Sequence, residues 1–299
     1  RLIVNCASSW TFRSIPPPEN PTYTSDQVTV IIPTICSEDQ HDDFKLCLRS
    51  CLAIKPYEIL VITIDSNLLR ITELAHNIDA RIQVIAVSVA NKREQICEAI
   101  PRITTPLTFM ADDDIELPPK SLPHILAPFE DLEIGAVGTC QRIRRRPGLG
   151  ILRRIVEYLG ECYIQRRNFE ISATSHIDGK ISCLSGRVAA IRTEILRSNE
   201  FMTGYVTEKW RGKPLNADDD NFVTRHLFAK GWGIRIQMCK EAEVLTTLEC
   251  NWGGFLKQCL RWARSNWRSN IKSAIFEWRV WVYVSHPCLV FFASNLCDK

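Results

Sequence analysis

The chain has 299 residues, with 37 Lys+Arg against 34 Asp+Glu and a formal net charge of +3. Hydrophobic residues make up 45% and charged residues 24%, near the averages of a folded soluble domain. That excludes a disordered tail and a collagen-like repeat, argues against a polytopic membrane protein, and gives no global pull toward nucleic acid despite the basic run over 142–146. The length suits one large domain or two small ones. The 13 cysteines are odd in number and scattered, several lie in apolar runs (Cys47, Cys51, Cys183, Cys259), and no Cys-x-x-Cys pair occurs. They read as reduced, mostly buried small hydrophobes of a domain that faces the cytosol. The chain opens on Arg1 rather than Met and reads as a piece of a longer protein, with no signal-peptide pattern at its start.

In chain order, 1–27 is expected to be an irregular lead-in, because Pro16-Pro17-Pro18 and Pro21 oppose regular structure. The β-branched run 28–34 reads as a buried parallel strand. A helix over 42–54, a strand over 58–65, a helix over 68–78, a strand over 82–89, a helix over 92–100 and a strand over 107–110 follow. Alternation at this spacing implies a mostly parallel sheet flanked by helices, with ligands beyond the carboxyl ends of the strands. Further on, the pattern gives a strand over 134–140, a helix over 149–169, strand character within 180–191, and a helix over 220–230 stopped by Gly231. A long Trp- and Arg-rich helical stretch covers 247–273. The uncharged run 280–297 is marginal for crossing a bilayer, which takes about 20 residues.

Three groups of residues carry chemistry. Asp112-Asp113-Asp114 ends the fourth strand, where period-two alternation puts the first and third carboxylates on one side. Adjacent acids repel unless a cation offsets them, and a hard divalent ion with oxygen ligands, such as Mg²⁺ held by one or two carboxylates plus substrate phosphates, is the natural partner; a solvated acidic turn is the other reading. Asp218-Asp219-Asp220 opens a helix. There Asp220 reads either as a cap or as a general base whose pKa the helix dipole lowers. Gln258, Arg261 and Trp262 share a helix face by i, i+3, i+4 spacing. Arg binds phosphate bidentately and Trp stacks on a sugar, whereas Arg264, Trp267, Arg268 and Trp278 read as an interfacial helix at lipid headgroups.

Taken in order, Pro33-Thr34, Asp65, Lys92-Arg93, Asp112-x-Asp114, Ser185-Gly186, Asp219-Asp220 and Gln258-x-x-Arg261-Trp262 resemble a family 2 inverting glycosyltransferase of the GT-A fold. The similarity is greatest to the processive membrane-bound synthases of hyaluronan, chitin, cellulose and fungal capsular-type polysaccharides. It implies an α/β, Rossmann-like GT-A domain over 28–246, amphipathic interface helices over 247–279, and a marginal transmembrane or membrane-associated segment over 280–299. By the same resemblance, Pro33, Thr34 and Asp65 hold the uracil and ribose of a UDP-sugar, and Lys92 and Arg93 contact the nucleotide near the diphosphate. Asp112 touches the donor, Asp114 ligates Mg²⁺ or Mn²⁺, and Asp220 is the base. Ser185, Gly186, Asp219, Gln258, Arg261 and Trp262 serve the acceptor and diphosphate. The implied partners are a UDP-sugar, a growing glycan and membrane lipids, without nucleic acid, and the implied place is a membrane with the catalytic domain toward the cytosol. A non-processive transferase acting on a lipid or protein acceptor, a truncated inactive member, a non-catalytic subunit and a nucleotidyltransferase stand as alternatives.

Overall fold

A computed structural model describes residues 2–276 except 147, 149 and 250. In chain order the elements are α1 (Leu2–Thr11), β1 (Val28–Pro33), α2 (His41–Ala53), β2 (Glu58–Ile64), α3 (Leu68–His76), β3 (Gln83–Val87), α4 (Lys92–Ala99) and β4 (Leu107–Ala111). There follow α5 (Ser121–Leu126), β5 (Ile134–Thr139), β6 (Gln141–Ile143), α6 (Ile151–Asp178), β7 (Val188–Arg192), α7 (Thr193–Arg197) and α8 (Asn199–Thr207). The last are β8 (Lys209–Trp210), β9 (Lys213–Pro214), α9 (Asp219–Ala229), β10 (Gly233–Gln237), β11 (Val244–Thr246) and α10 (Trp252–Phe276).

Seven strands form one sheet in the order β10-β5-β7-β4-β1-β2-β3. All neighbours are parallel except β7, which runs antiparallel to both β4 and β5. Alternation along β1 feeds two cores: Val30 and Ile32 face one with Phe44 and Leu48 of α2, and Ile31 faces the other with Ile96 of α4 and Leu227 of α9. Strands buried on both faces read as continuous apolar runs, which is why β1, β2 and β4, buried along their length, are legible in the sequence. The expected mixed α/β sheet flanked by helices is the fold observed.

The lead-in departs from expectation. Only its proline-bearing part is irregular, because 2–11 contains neither Pro nor Gly and forms α1. That helix packs on α6, where Ser8 Oγ donates to the Ala173 carbonyl at 2.7 Å and Ser9 and Ser172 share a hydroxyl hydrogen bond of 2.9 Å. Helix α9 ends where Gly231 takes φ +83°, a left-handed conformation that glycine adopts without steric penalty. The described cysteines are free thiols, with Cys36, Cys47, Cys51, Cys140 and Cys183 buried. Among the described residues no helix is long and apolar enough to cross a membrane; the segment 280–299 and Trp278 lie outside the described residues.

A buried ion cluster ties α4, α9 and α10 together. The Glu208 carboxylate, 3% exposed, accepts from Arg93 Nη2 at 3.0 Å, Arg225 Nη2 at 2.6 Å and Lys272 Nζ at 2.5 Å. Burial disfavours the Glu208 anion, yet these cations outweigh it and hold its pKa below the usual value. Glu208→Ala takes the carboxylate from Arg93, which is 1% exposed. It is expected to destabilise the fold by about 3–5 kcal/mol and to lower Tm by roughly 10 °C in scanning calorimetry; an unchanged Tm would show that the cluster adds no stability.

Candidate active site

The sheet topology gathers the site. The chain leaves β1 toward β2 and β3 on one side, then returns to β4 on the other, so the carboxyl ends of β1 and β4 open a crevice at the point where strand order reverses. Thr34 follows β1 there and Asp112–Asp114 follow β4. Because β7 is antiparallel, its amino end lies at the same edge: Ala111 pairs with Val188, and the Asp112 N–H continues the ladder to the Arg187 carbonyl at 2.8 Å. That places Ser185, Gly186 and Arg187 beside the acids. Helix α9 runs back from this edge into β10 and therefore begins at it, delivering Asp218, Asp219 and Asp220. The short parallel pair β6–β11 brings Thr247 to the crevice.

Lys92 joins the two acidic triplets. Its ammonium lies 2.6 Å from Asp112 Oδ1 and 3.2 Å from Asp219 Oδ2, and it donates to the Gly186 carbonyl at 3.2 Å. Burial alone pulls the Lys92 pKa down, but Asp112 and Asp219 outweigh it and the net shift is upward. Asp219 moves the opposite way: burial opposes its charge, and Lys92 still holds its pKa low. Gly186 permits the approach, since a Cβ there would sit 3.2 Å from Asp220 Cβ, tighter than an ordinary contact.

Asp113 and Asp114 carry the electrostatic strain. Asp113 accepts from the Thr34 hydroxyl, yet burial, aided by Asp112 and Asp114, pushes its pKa up to about 6. Asp114 Oδ2 accepts from Thr247 Oγ1 at 2.6 Å, and burial followed by the Asp112 charge raises its pKa as well. Asp112 and Asp114 supply hard carboxylate oxygens of the kind by which Mg²⁺ or Mn²⁺ is held through one or two carboxylates, the rest of its coordination coming from water and phosphate. The residues present suit such an ion.

Asp220 differs from expectation in two ways. The cap position belongs to Asp218, whose backbone is left-handed at φ 68°, a strained conformation for a non-glycine residue. Asp220 Oδ1 instead accepts from the neighbouring Asn221 N–H at 2.8 Å. The helix terminus does not keep its pKa low. Burial, then the Asp219 charge, raises it, and they outweigh Arg167 and a hydrogen bond with Cys183.

These groups line one cavity of about 480 Å³ together with Pro33, Gln258, Arg261 and Trp262. Trp262 stacks on Tyr163 of α6 with ring centroids 5.0 Å apart, and the Arg187 guanidinium lies 5.1 Å over the Trp262 ring. Gln258 Oε1 is buried there without a hydrogen-bond partner among the described residues. The Gln-x-x-Arg-Trp face thus meets both acidic triplets.

Two residues named from the sequence stand elsewhere. Asp65 is exposed at the carboxyl end of β2, outside the cavity lining. Arg93 points away from the cavity into the Glu208 cluster and donates to the Tyr205 and Ala217 carbonyls at 2.8 and 2.7 Å; on α4, adjacent residues face different sides, so Lys92 and Arg93 cannot share a ligand. Arg268, read as an interfacial residue, pairs with buried Asp218 at 2.8 Å. Sequence reading passed over Tyr163, Arg166, Arg167, Arg187 and Thr247, which also line the cavity. Only Arg187, adjoining Ser185-Gly186, carried a local signal.

The family model described as glycosyltransferase like family 2 matches residues 26–265. The chain is 52% identical over 284 residues to the type 2 glycosyltransferase of Pyricularia oryzae, covering 94% of this chain and 58% of that protein. It is 32% identical over 265 residues to the NDP-glycosyltransferase ltbB of Aspergillus luteorubrus, covering 86% of this chain and 64% of that protein. The chain therefore spans about three fifths of the length of such relatives. Among solved structures, the mannosyltransferase PcManGT of Pyrobaculum calidifontis, in complex with GDP-Man and Mn²⁺, shares the fold with a TM-score of 0.59 at 16% identity, over 91% of this chain and 72% of that one. Its sheet, its site and these relatives agree: the chain belongs to glycosyltransferase family 2, whose members are generally inverting sugar transferases.

Proposed function

We propose that the chain is the catalytic part of a metal-dependent, inverting hexosyltransferase that moves a sugar from a UDP-sugar to a growing polysaccharide at a membrane, with its active face in the cytosol. The observation that carries the reading is the Lys92 bridge between Asp112 and Asp219, which puts both acidic triplets and Trp262 around one cavity. Asp114, with Asp112 beside it, would hold Mg²⁺ or Mn²⁺, which when bound neutralises charge on a leaving diphosphate. Asp220 takes the proton from the acceptor hydroxyl, and one base suffices when the hydroxyl attacks from the face opposite the leaving group. Pro33 and Thr34 border the nucleotide end, Ser185 and Gly186 the acceptor. Gln258 and Arg261 meet phosphate, and Trp262 offers a stacking surface to the acceptor sugar. The membrane reading is supported by α10, whose exposed Trp252, Leu256, Leu260 and Trp267 form a helical stripe suited to lipid headgroups.

The test is nucleoside-diphosphate release by the full-length protein in its membrane, against a panel of UDP-sugars and GDP-mannose, with and without divalent cation. Release of UDP from one donor, dependent on Mg²⁺ or Mn²⁺ and accompanied by a product longer than one added sugar, is expected. Turnover of GDP-mannose alone would overturn the donor assignment, and a product extended by one residue would overturn the polymer.

A further inference from the structure

Two guanidiniums in the cavity have no role in the scheme above. Arg187 leads into β7 and Arg167 lies on α6; both line the cavity. Among the described residues neither forms an ion pair. Arg187 Nη1 donates to the neutral Gln141 Oε1 at 3.1 Å, while Arg167 donates to Ser185 Oγ at 3.1 Å and to the Cys183 carbonyl at 3.3 Å. They press on one another: burial, then the Arg167 charge, lowers the Arg187 pKa, although Asp112, Asp114 and Asp220 all pull it up. Each guanidinium has five donors, of which these hydrogen bonds use one on Arg187 and two on Arg167.

Their surroundings define the ligand. Two half-buried cations bonded to neutral oxygens gain most from an oxyanion with several acceptor atoms, for which the planar guanidinium fork is matched. Asp112, Asp114 and Asp220 attract Arg187, and Arg167 acts on Asp220, but among the described residues none of these carboxylates forms an ion pair with either guanidinium, and Asp112 and Asp219 pair with Lys92 instead. The Arg187 side chain is also held by two neighbours, the Trp262 ring, whose centroid lies 5.1 Å from its Cζ, and Gln141, so a phosphate meets a prearranged donor set. Arg187 shares the cavity lining with Asp112, Asp114 and Asp220, and all three carboxylates act on its charge, so the guanidinium stands near both acidic triplets.

We propose that Arg167 and Arg187 form a phosphate subsite, separate from Arg261, that holds a phosphate oxyanion near both acidic triplets. The inference rests on the transferase reading and adds a binding group to it. The phosphate comes either from the donor diphosphate or from a phosphate carried by the acceptor.

Calorimetric titration of the full-length protein separates these sources. One arm titrates UDP in the presence of Mn²⁺; the other titrates inorganic phosphate into UDP-saturated protein. Arg187→Gln and Arg167→Gln are each expected to weaken one arm by about tenfold or more, in line with a lost charge-assisted hydrogen bond. Arg187→Lys, which keeps the charge but not the fork, is expected to fall between wild type and Gln. Loss in the UDP arm assigns the donor diphosphate, and loss in the phosphate arm alone assigns an acceptor phosphate. If the wild type binds UDP and folded variants match it within about twofold in both arms, the subsite is wrong while the transferase reading stands. If the wild type binds neither ligand, both fall.

Discussion

Replacing Asp220 by Asn is expected to lower the transfer rate by roughly two to four orders of magnitude, the range that a positioned general base contributes, while nucleotide affinity is kept. Asn preserves the acceptor that bonds the Asn221 N–H and removes a carboxylate whose charged form is disfavoured by burial and by Asp219, so the fold is expected to hold. Lys92 remains on Asp112 and Asp219, and the donor side of the cavity is left intact. Single-turnover transfer and calorimetric UDP binding check the two halves. Loss of UDP binding together with transfer would count against Asp220 as the base.

The same residue sets a pH dependence. Its pKa is raised above the ordinary carboxylate value, and the base works only when ionised. Wild-type activity is therefore expected to fall as pH drops through that raised value, by tenfold per pH unit on the acid side, and to level off above it. In Asp220→Asn this limb should be missing from whatever activity remains. An acid limb retained unchanged in the variant would assign it to another group, with Asp113, raised to about 6, the first to examine.

The parallel half of the sheet was legible in the sequence because β1, β2 and β4 are buried apolar runs and each of its strands is followed by a helix. The antiparallel β7 was only half visible: Val188–Arg192 is as apolar as a parallel strand, and direction leaves no mark on composition. The helix α1 was hidden by the prolines that follow it. Within the site, residues at strand ends and helix starts were readable, since backbone geometry dictates where Asp112, Asp114 and Asp220 point. Arg167 and Tyr163 were not, because α6 passes the crevice in its middle, and only tertiary packing selects the turn that faces it. Arg93 misled for the complementary reason. Adjacency to Lys92 suggested a shared ligand, whereas Glu208, distant in the chain, offers a buried partner that pulls it to the other side of α4.

Asp114→Ala is expected to remove the metal dependence of nucleotide binding. Asp114 sits at the strand end beside Asp112, and its carboxylate is aligned by Thr247 at 2.6 Å, the kind of outer partner whose loss alone weakens metal binding by about 10- to 100-fold. Loss of the ligand itself should exceed that, so UDP affinity with saturating Mn²⁺ should drop by more than about 100-fold, to the value measured without metal. Thr247→Val, which leaves the carboxylate but not its alignment, should give a smaller decrease of about tenfold. The two variants separate ligation from charge. Removing one of three mutually repelling acids relieves the strain that raises Asp113 and Asp114, so the alanine variant should be at least as stable as wild type while losing the ion. Calorimetry with and without Mn²⁺ on both variants, alongside thermal melts, reads this out. UDP affinity unchanged by Asp114→Ala in the presence of Mn²⁺ would show that the cation, if used, is held elsewhere.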